Sequence, residues 1–166
     1  LPKGEWLTRL AATAQDNVQL IGAQIDAGVV RSDFGTASIT ATQNANIGTI
    51  TSSSTTTVTG ASITLDRSNT AALTLNATSG DLVITDDLVS NSAVNLAASG
   101  DIRFESIAGG STFTGDAGGD ILFDTATTSN GNLQLIAGGI LTGTLADTLT
   151  ANTIASGTAA VILRAG

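Results

Sequence analysis

Small residues recur through this chain at nearly constant spacing: Gly22, Ala41, Gly60, Gly80, Gly100, Gly119 and Gly139. The intervals are 19, 19, 20, 20, 19 and 20 residues. In three copies an aspartate follows directly, at Gly80-Asp81, Gly100-Asp101 and Gly119-Asp120. A fixed period near 20 with strand-like flanks means a stacked array rather than a closed globule. One repeat cannot bury its own apolar face, so neighbours must stack on it to make a core.

The clearest copies are residues 73–91, 92–111 and 112–131. Each opens with a short strand: Leu73-Thr74-Leu75, Val94-Asn95-Leu96, Phe113-Thr114. A turn of small residues leads to a second strand, Leu82-Val83-Ile84, Ile102-Arg103-Phe104 or Ile121-Leu122-Phe123. A weaker third strand and a polar corner complete the coil, at Asn91-Ser92, Gly109-Gly110-Ser111 and Asn130-Gly131. Aligned on the glycines, Leu82, Ile102, Ile121 and Leu141 share one place. Ile84, Phe104 and Phe123 share a second, and Val94, Phe113 and Leu133 a third. Strand residues two apart share a face, so these places predict inward columns. The fold expected is all-β, a parallel β-helix (β-solenoid) with coils of about 19–20 residues.

The repeat segment spans 17–166. Residues 1–16 differ. Trp6, Leu7, Leu10, Ala11 and Ala14 are spaced like one face of a helix, which reads as an N-terminal capping helix or as an irregular first coil. At the other end Gly143 stands where Phe104 and Phe123 stand in earlier copies, and residues 145–157 read as an extra-long coil. The low-complexity stretch 51–57 reads as a solvated corner or a β-branched strand.

Composition narrows the function. Hydrophobic residues make up 42% but aromatics only 3%, so Ala, Val, Ile, Leu and Thr must fill the core. The net charge is −8 and the six basic residues are scattered, which argues against nucleic acid and anionic lipid as partners. No apolar run reaches the roughly 18–20 residues of a membrane-spanning helix. Cysteine is absent, which suits a large surface protein exported unfolded and equally a cytosolic one. The chain begins at Leu1 and has no Met, so it is expected to be a processed product or a segment of a longer protein.

The acidic turns raise a metal reading. Stacked turns would align Asp81, Asp101 and Asp120, with Glu105 and Asp124 facing outward nearby. Clustered carboxylates suit Ca²⁺. The stronger reading is turn chemistry, with each aspartate bonding nearby backbone N–H groups. No cofactor is otherwise expected.

Catalysis has few residues to work with. His, Cys and Tyr are absent and Lys3 is the one lysine, so a Ser-His-Asp arrangement cannot form. A carboxylate pair for glycoside cleavage would come from Asp101, Glu105, Asp120 or Asp124. Such a site also needs exposed aromatics, and the Phe columns read as buried. The many Thr-x-Thr pairs fall at different phases of the glycine ladder, so no regular threonine array is expected.

The phrases Leu-Asn-Ala-Thr-Ser-Gly-Asp, Leu-Ala-Ala-Ser-Gly-Asp-Ile and Leu-Ile-Ala-Gly-Gly-Ile within 73–139 resemble the repeats of filamentous haemagglutinin-type proteins, the long adhesins of two-partner secretion. The likeness extends more weakly over 17–165. The resemblance implies a right-handed helix, an extended fibre, export to the bacterial outer surface or medium, and adhesion. It implies an interior shaft segment, since the family's secretion motifs are not seen here. The function expected is therefore a non-catalytic structural or adhesive fibre segment. The alternatives are a filament subunit that stacks end to end on copies of itself, and a carbohydrate-binding or carbohydrate-active solenoid. Partners would be neighbouring coils of a parent chain, other copies, or host-cell and surface glycans.

Overall fold

A computed structural model describes residues 6–128, 133–145, 151–156 and 161–165. Among the described residues the chain is all β-strand. In chain order the strands are β1 (Trp6–Ala14), β2 (Val18–Gly22), β3 (Gln24–Ser32), β4 (Ala37–Ala41), β5 (Ala45–Gly60) and β6 (Ile63–Ala77). Next come β7 (Leu82–Ser90), β8 (Val94–Ala98), β9 (Ile102–Gly109), β10 (Phe113–Ala117) and β11 (Ile121–Thr128). The last are β12 (Leu133–Ala137), β13 (Leu141–Leu145), β14 (Ala151–Ser156) and β15 (Val161–Ala165). Every strand pairing is parallel, and partners lie one coil apart in sequence. The molecule is a parallel β-solenoid.

Each coil has three faces, because the inside-outside alternation breaks twice within a coil. In β6 the buried positions are 63 and 65, then 68 and 70, then 73, 75 and 77. Two outward or half-buried residues separate each group, and each such pair is a corner. Face I therefore carries 63–65 and its counterparts, face II 68–70, and face III 73–77. A turn joins face III to face I of the next coil.

The three apolar columns expected from sequence are present. Leu82, Ile102, Ile121 and Leu141 lie in one register file and are all 0% exposed. Ile84, Phe104 and Phe123 form the second file, and Val94, Phe113 and Leu133 the third. The Phe104 and Phe123 rings stack at 4.9 Å between centroids, and Phe113 meets Phe104 edge-on at 5.5 Å. These rings add local bulk to a core otherwise built of Ile, Leu, Val and Ala.

The structure refines four sequence expectations. Of the two readings of residues 1–16 the irregular first coil fits and the helix does not: Trp6–Ala14 is the strand β1, paired with β3 from Trp6–Gln24 to Ala14–Ser32 with two register slips. The register slips between Leu7 and Leu10, and that slip produces the three-residue spacing that imitates a helix. A helix that short is marginal in water, whereas the edge of β3 offers a full row of backbone partners. Of the first 16 residues, 1–5 lie outside those described.

The glycine ladder is two ladders. Gly22 stacks on Ala41, and Gly60 on Ala77, then Ala98, Ala117 and Ala137. Gly80, Gly100, Gly119 and Gly139 form a different file, each N–H bonding the carbonyl of the previous member from Gly100 onward. The change comes from turn length. Residues 61–62 join Gly60 to Ile63, whereas 78–81 join Ala77 to Leu82. The longer turn restores an interval of 20 between glycines that do not stack.

At Gly143 the register slips on one side only: β11 and β13 pair through Leu122–Thr142 and resume one step out at Thr125–Thr144, whereas β13 and β15 stay in step. Leu141 pairs with Ile121 and with Val161, and Gly143 pairs with Leu163. A Cβ at Gly143 would lie 2.3 Å from the Phe123 ring, so the glycine makes the room that this ring fills. Within the extra-long coil expected at 145–157, Ala151–Ser156 is the strand β14 on β12, and 146–150 and 157 lie outside the described residues.

The threonines align better than expected. Thr40 pairs with Thr59, Ser38 with Thr57, and Thr57 with Thr74. Outward hydroxyls thus stack on face III as Ser38–Thr57–Thr74 over three coils and as Thr40–Thr59 over two, until Asn95 and Asn76 interrupt them. Phases counted from the mixed ladder hid this. The stretch 51–57 is strand throughout, and it buries Ser52 and Thr56.

Inside the corner between faces II and III runs a file of hydroxyls: Ser32, Ser52, Thr70 and Ser90. Ser32 donates to the Asp16 carbonyl, Ser52 to the Gly35 carbonyl at 2.8 Å, and Ser90 to the Ala71 carbonyl at 3.0 Å. Each satisfies a carbonyl of the coil before it.

Candidate functional site

Two acidic files flank face I. Asp81, Asp101 and Asp120 stand in the turn before it, and Glu105 and Asp124 stand at the corner after it. The five carboxylates are therefore split between opposite edges of one face.

The turn file is a chain of hydrogen bonds between coils. The Asp81 carboxylate accepts from the Asp101 N–H at 2.9 Å. The Asp101 carboxylate accepts from the Asp120 N–H at 2.9 Å, and that of Asp120 from the Ile140 N–H at 2.7 Å. A Cβ on Gly100, Gly119 or Gly139 would sit 2.2, 2.3 or 2.1 Å from the oxygen that makes these bonds. Each glycine is thus required by the aspartate one coil earlier, not by the one that follows it. The requirement is for room, since none of these three has a left-handed backbone. Gly80 obeys the same rule with Ser62, whose Oγ would lie 2.1 Å from an added Cβ.

Asp101 has a second partner, the Arg103 guanidinium at 2.9 Å. Its carboxyl is held below the ordinary aspartate range, first by the Asp120 N–H and then by Arg103. The carboxylates read from sequence as Ca²⁺ candidates thus have backbone and arginine partners in the turn file. Among the described residues no three of His, Cys, Asp or Glu gather into a metal-binding group.

The corner file is Asp66, Thr85, Glu105 and Asp124, each following a member of the Leu65–Ile84–Phe104–Phe123 stack. Thr85 donates to the Asp66 carboxylate at 2.8 Å. An open groove of about 440 Å³ runs beside it, with Thr85, Arg103, Glu105 and Asp124 on its rim. Phe104 and Phe123 form part of its floor but are 4% and 6% exposed, so their faces are given to the core. Of the four carboxylates considered for glycoside chemistry, the groove gathers Glu105 and Asp124. Asp101 and Asp120 do not line it.

Two features of the site were not anticipated. Arg103 belongs both to the groove and to the Asp101 pair; an outward arginine two places after an aspartate in a strand was the available signal. The interior hydroxyl file was legible as Ser or Thr recurring at 32, 52, 70 and 90, on the inward side of each alternation.

Compared with protein-family models, curated proteins and solved structures, the chain has no significant match.

Proposed function

We propose that this chain is a rigid shaft segment of a bacterial cell-surface or secreted fibre, structural or adhesive, and not an enzyme. The observation that carries the reading is the chain of inter-coil pairing from β1 to β15, around one stacked core that runs from Val18 to Leu141 among the described residues. Backbone bonds run along the axis and apolar columns fill the tube. Most of the acidic side chains stand outside as single residues or neutralised pairs. Such a body transmits length and force. The pattern of its repeats resembles filamentous haemagglutinin-type shafts, which supports an extracellular place.

Antibodies raised against the purified chain should label intact source cells or their culture medium. Labelling that appears only after permeabilisation would rule the reading out. Sedimentation of the pure chain separates a shaft from a filament subunit: the shaft stays monomeric, the subunit grows with concentration.

The groove beside Glu105 and Asp124 favours a second reading, a glycan-binding solenoid. Binding on a glycan array that disappears in Glu105→Gln and Asp124→Asn would support it. Retention of that binding in both variants would remove the groove from consideration.

A further inference from the structure

The interior where the coils at 45–60 and 63–77 meet is unlike those stacked on it. Its inward positions include Thr56, Ser68 and Thr70, which are 0%, 1% and 1% exposed. None of these three hydroxyls has a hydrogen-bond partner among the described residues. Ser68 stands in a file with Ile50 below it and Leu88 above it. Thr56 lies between Ala37 and Leu73 in a file that continues through Val94 and Phe113. Serine is much smaller than the isoleucine and leucine on either side, so Ser68 brings a polar group and less bulk inward than its file neighbours. Thr70 continues the file of Ser52 and Ser90, yet it makes no bond to a corner carbonyl as they do. The strand β5 is continuous through the corner beneath it, but its pairing with β6 slips there by one residue, from Ser52–Thr70 to Thr55–Ala72. Thr70 ends face II and Thr56 begins face III at that same corner.

A buried hydroxyl left unpaired is costly, and proteins commonly meet that cost with enclosed water that makes about three hydrogen bonds. A water here would draw room from the side-chain volume that Ser68 gives up and partners from the three buried hydroxyls. We propose that these two coils enclose ordered water between them, bonded to Thr56, Ser68 and Thr70, at the corner of faces II and III. Ile50 and Leu88, the neighbours of Ser68 in its file, leave no such room.

Water–protein nuclear Overhauser measurements on the full chain, with labelled threonine methyls, test this. Long-lived water contacts are expected at the methyls of Thr56 and Thr70. They should vanish in Ser68→Leu, which restores the file of Ile50 and Leu88. Their absence in the unsubstituted chain overturns the proposal. Thr70→Val provides a readout by sign, independent of whether Ser68→Leu folds. It keeps the side-chain shape and removes the hydroxyl. With water bound, the thermal midpoint falls because the water loses a partner. With a dry interior the midpoint rises, because an unpaired hydroxyl is gone, and that rise overturns the proposal as well.

Discussion

The coils at 78–137 and those at 45–77 stay stacked by different means. In the first group each turn is keyed to the next by an aspartate and a glycine, and the interior carries Phe104, Phe113 and Phe123. In the second group β5 and β6 run through the corner between faces II and III as continuous strands, and the interior includes Ser52, Thr56, Ser68 and Thr70. Main-chain pairing therefore suffices to stack coils. Side-chain keys and aromatic bulk add specificity and stability to a frame that the backbone already supplies.

Breaking the aromatic stack should have the largest effect. Phe113→Ala removes a fully buried ring that meets Phe104 edge-on. A loss of about 3–5 kcal/mol is expected, seen as faster amide exchange in β8, β10 and β12. The same exchange in β3 and β4 should stay unchanged, because each coil contacts only its neighbours.

Filling a glycine should cost less, and the amount should depend on what the new Cβ meets. At Gly118 it would lie 2.3 Å from the backbone oxygen of Ser99, which cannot move aside. At Gly119 it meets the carboxylate of Asp101, which can. Gly118→Ala should lower stability by about 2–3 kcal/mol and Gly119→Ala by about 1. Chemical denaturation of the two variants side by side checks the order.

The key itself can be tested by a double-mutant cycle. Gly100→Ala forces Asp81 off the Asp101 N–H. Once Asp81→Ala has removed that carboxylate, Gly100→Ala should cost less, with a coupling of roughly 0.5–1.5 kcal/mol. Additive effects would show that the glycine serves another purpose.

Acid should weaken the turn file more than the long-strand coils. Asp101 has a depressed folded pKa, so its contribution is fully present above the unfolded aspartate value of about 3.9 and is lost as pH falls through the folded value. Asp101→Asn should flatten the acid limb of a stability–pH curve below that point and leave neutral pH nearly unaffected.

The exposed Arg67–Asp86 pair should matter least. Arg67→Ala is expected to change stability by less than about 0.5 kcal/mol, and less still at high salt.

How much of this was legible follows from how far each feature reaches along the chain. Inward columns such as Leu82–Ile102–Ile121 were readable because alternation within a strand is local and the repeat length is nearly constant. The strand at Trp6–Ala14 was not, because a slipped register gives apolar spacings that a helix would also give. The groove at Glu105 and Asp124 was half visible: both acids were named, but their separation from Asp101 and Asp120 depended on which corner each occupied.

Side-chain facing, the apolar files and the solenoid itself are determined by the order of residues, since period-two alternation and a 20-residue repeat need no distant partner to be recognised. Which small residues stack was decided by the tertiary structure. Two extra residues in the turn at 78–81 moved the glycines into a new file while keeping the interval intact. The same holds for the aspartate and glycine keys, whose partners are a whole coil apart. Register between coils is a long-range hydrogen-bond match, and turn length sets it without leaving a mark on the local pattern.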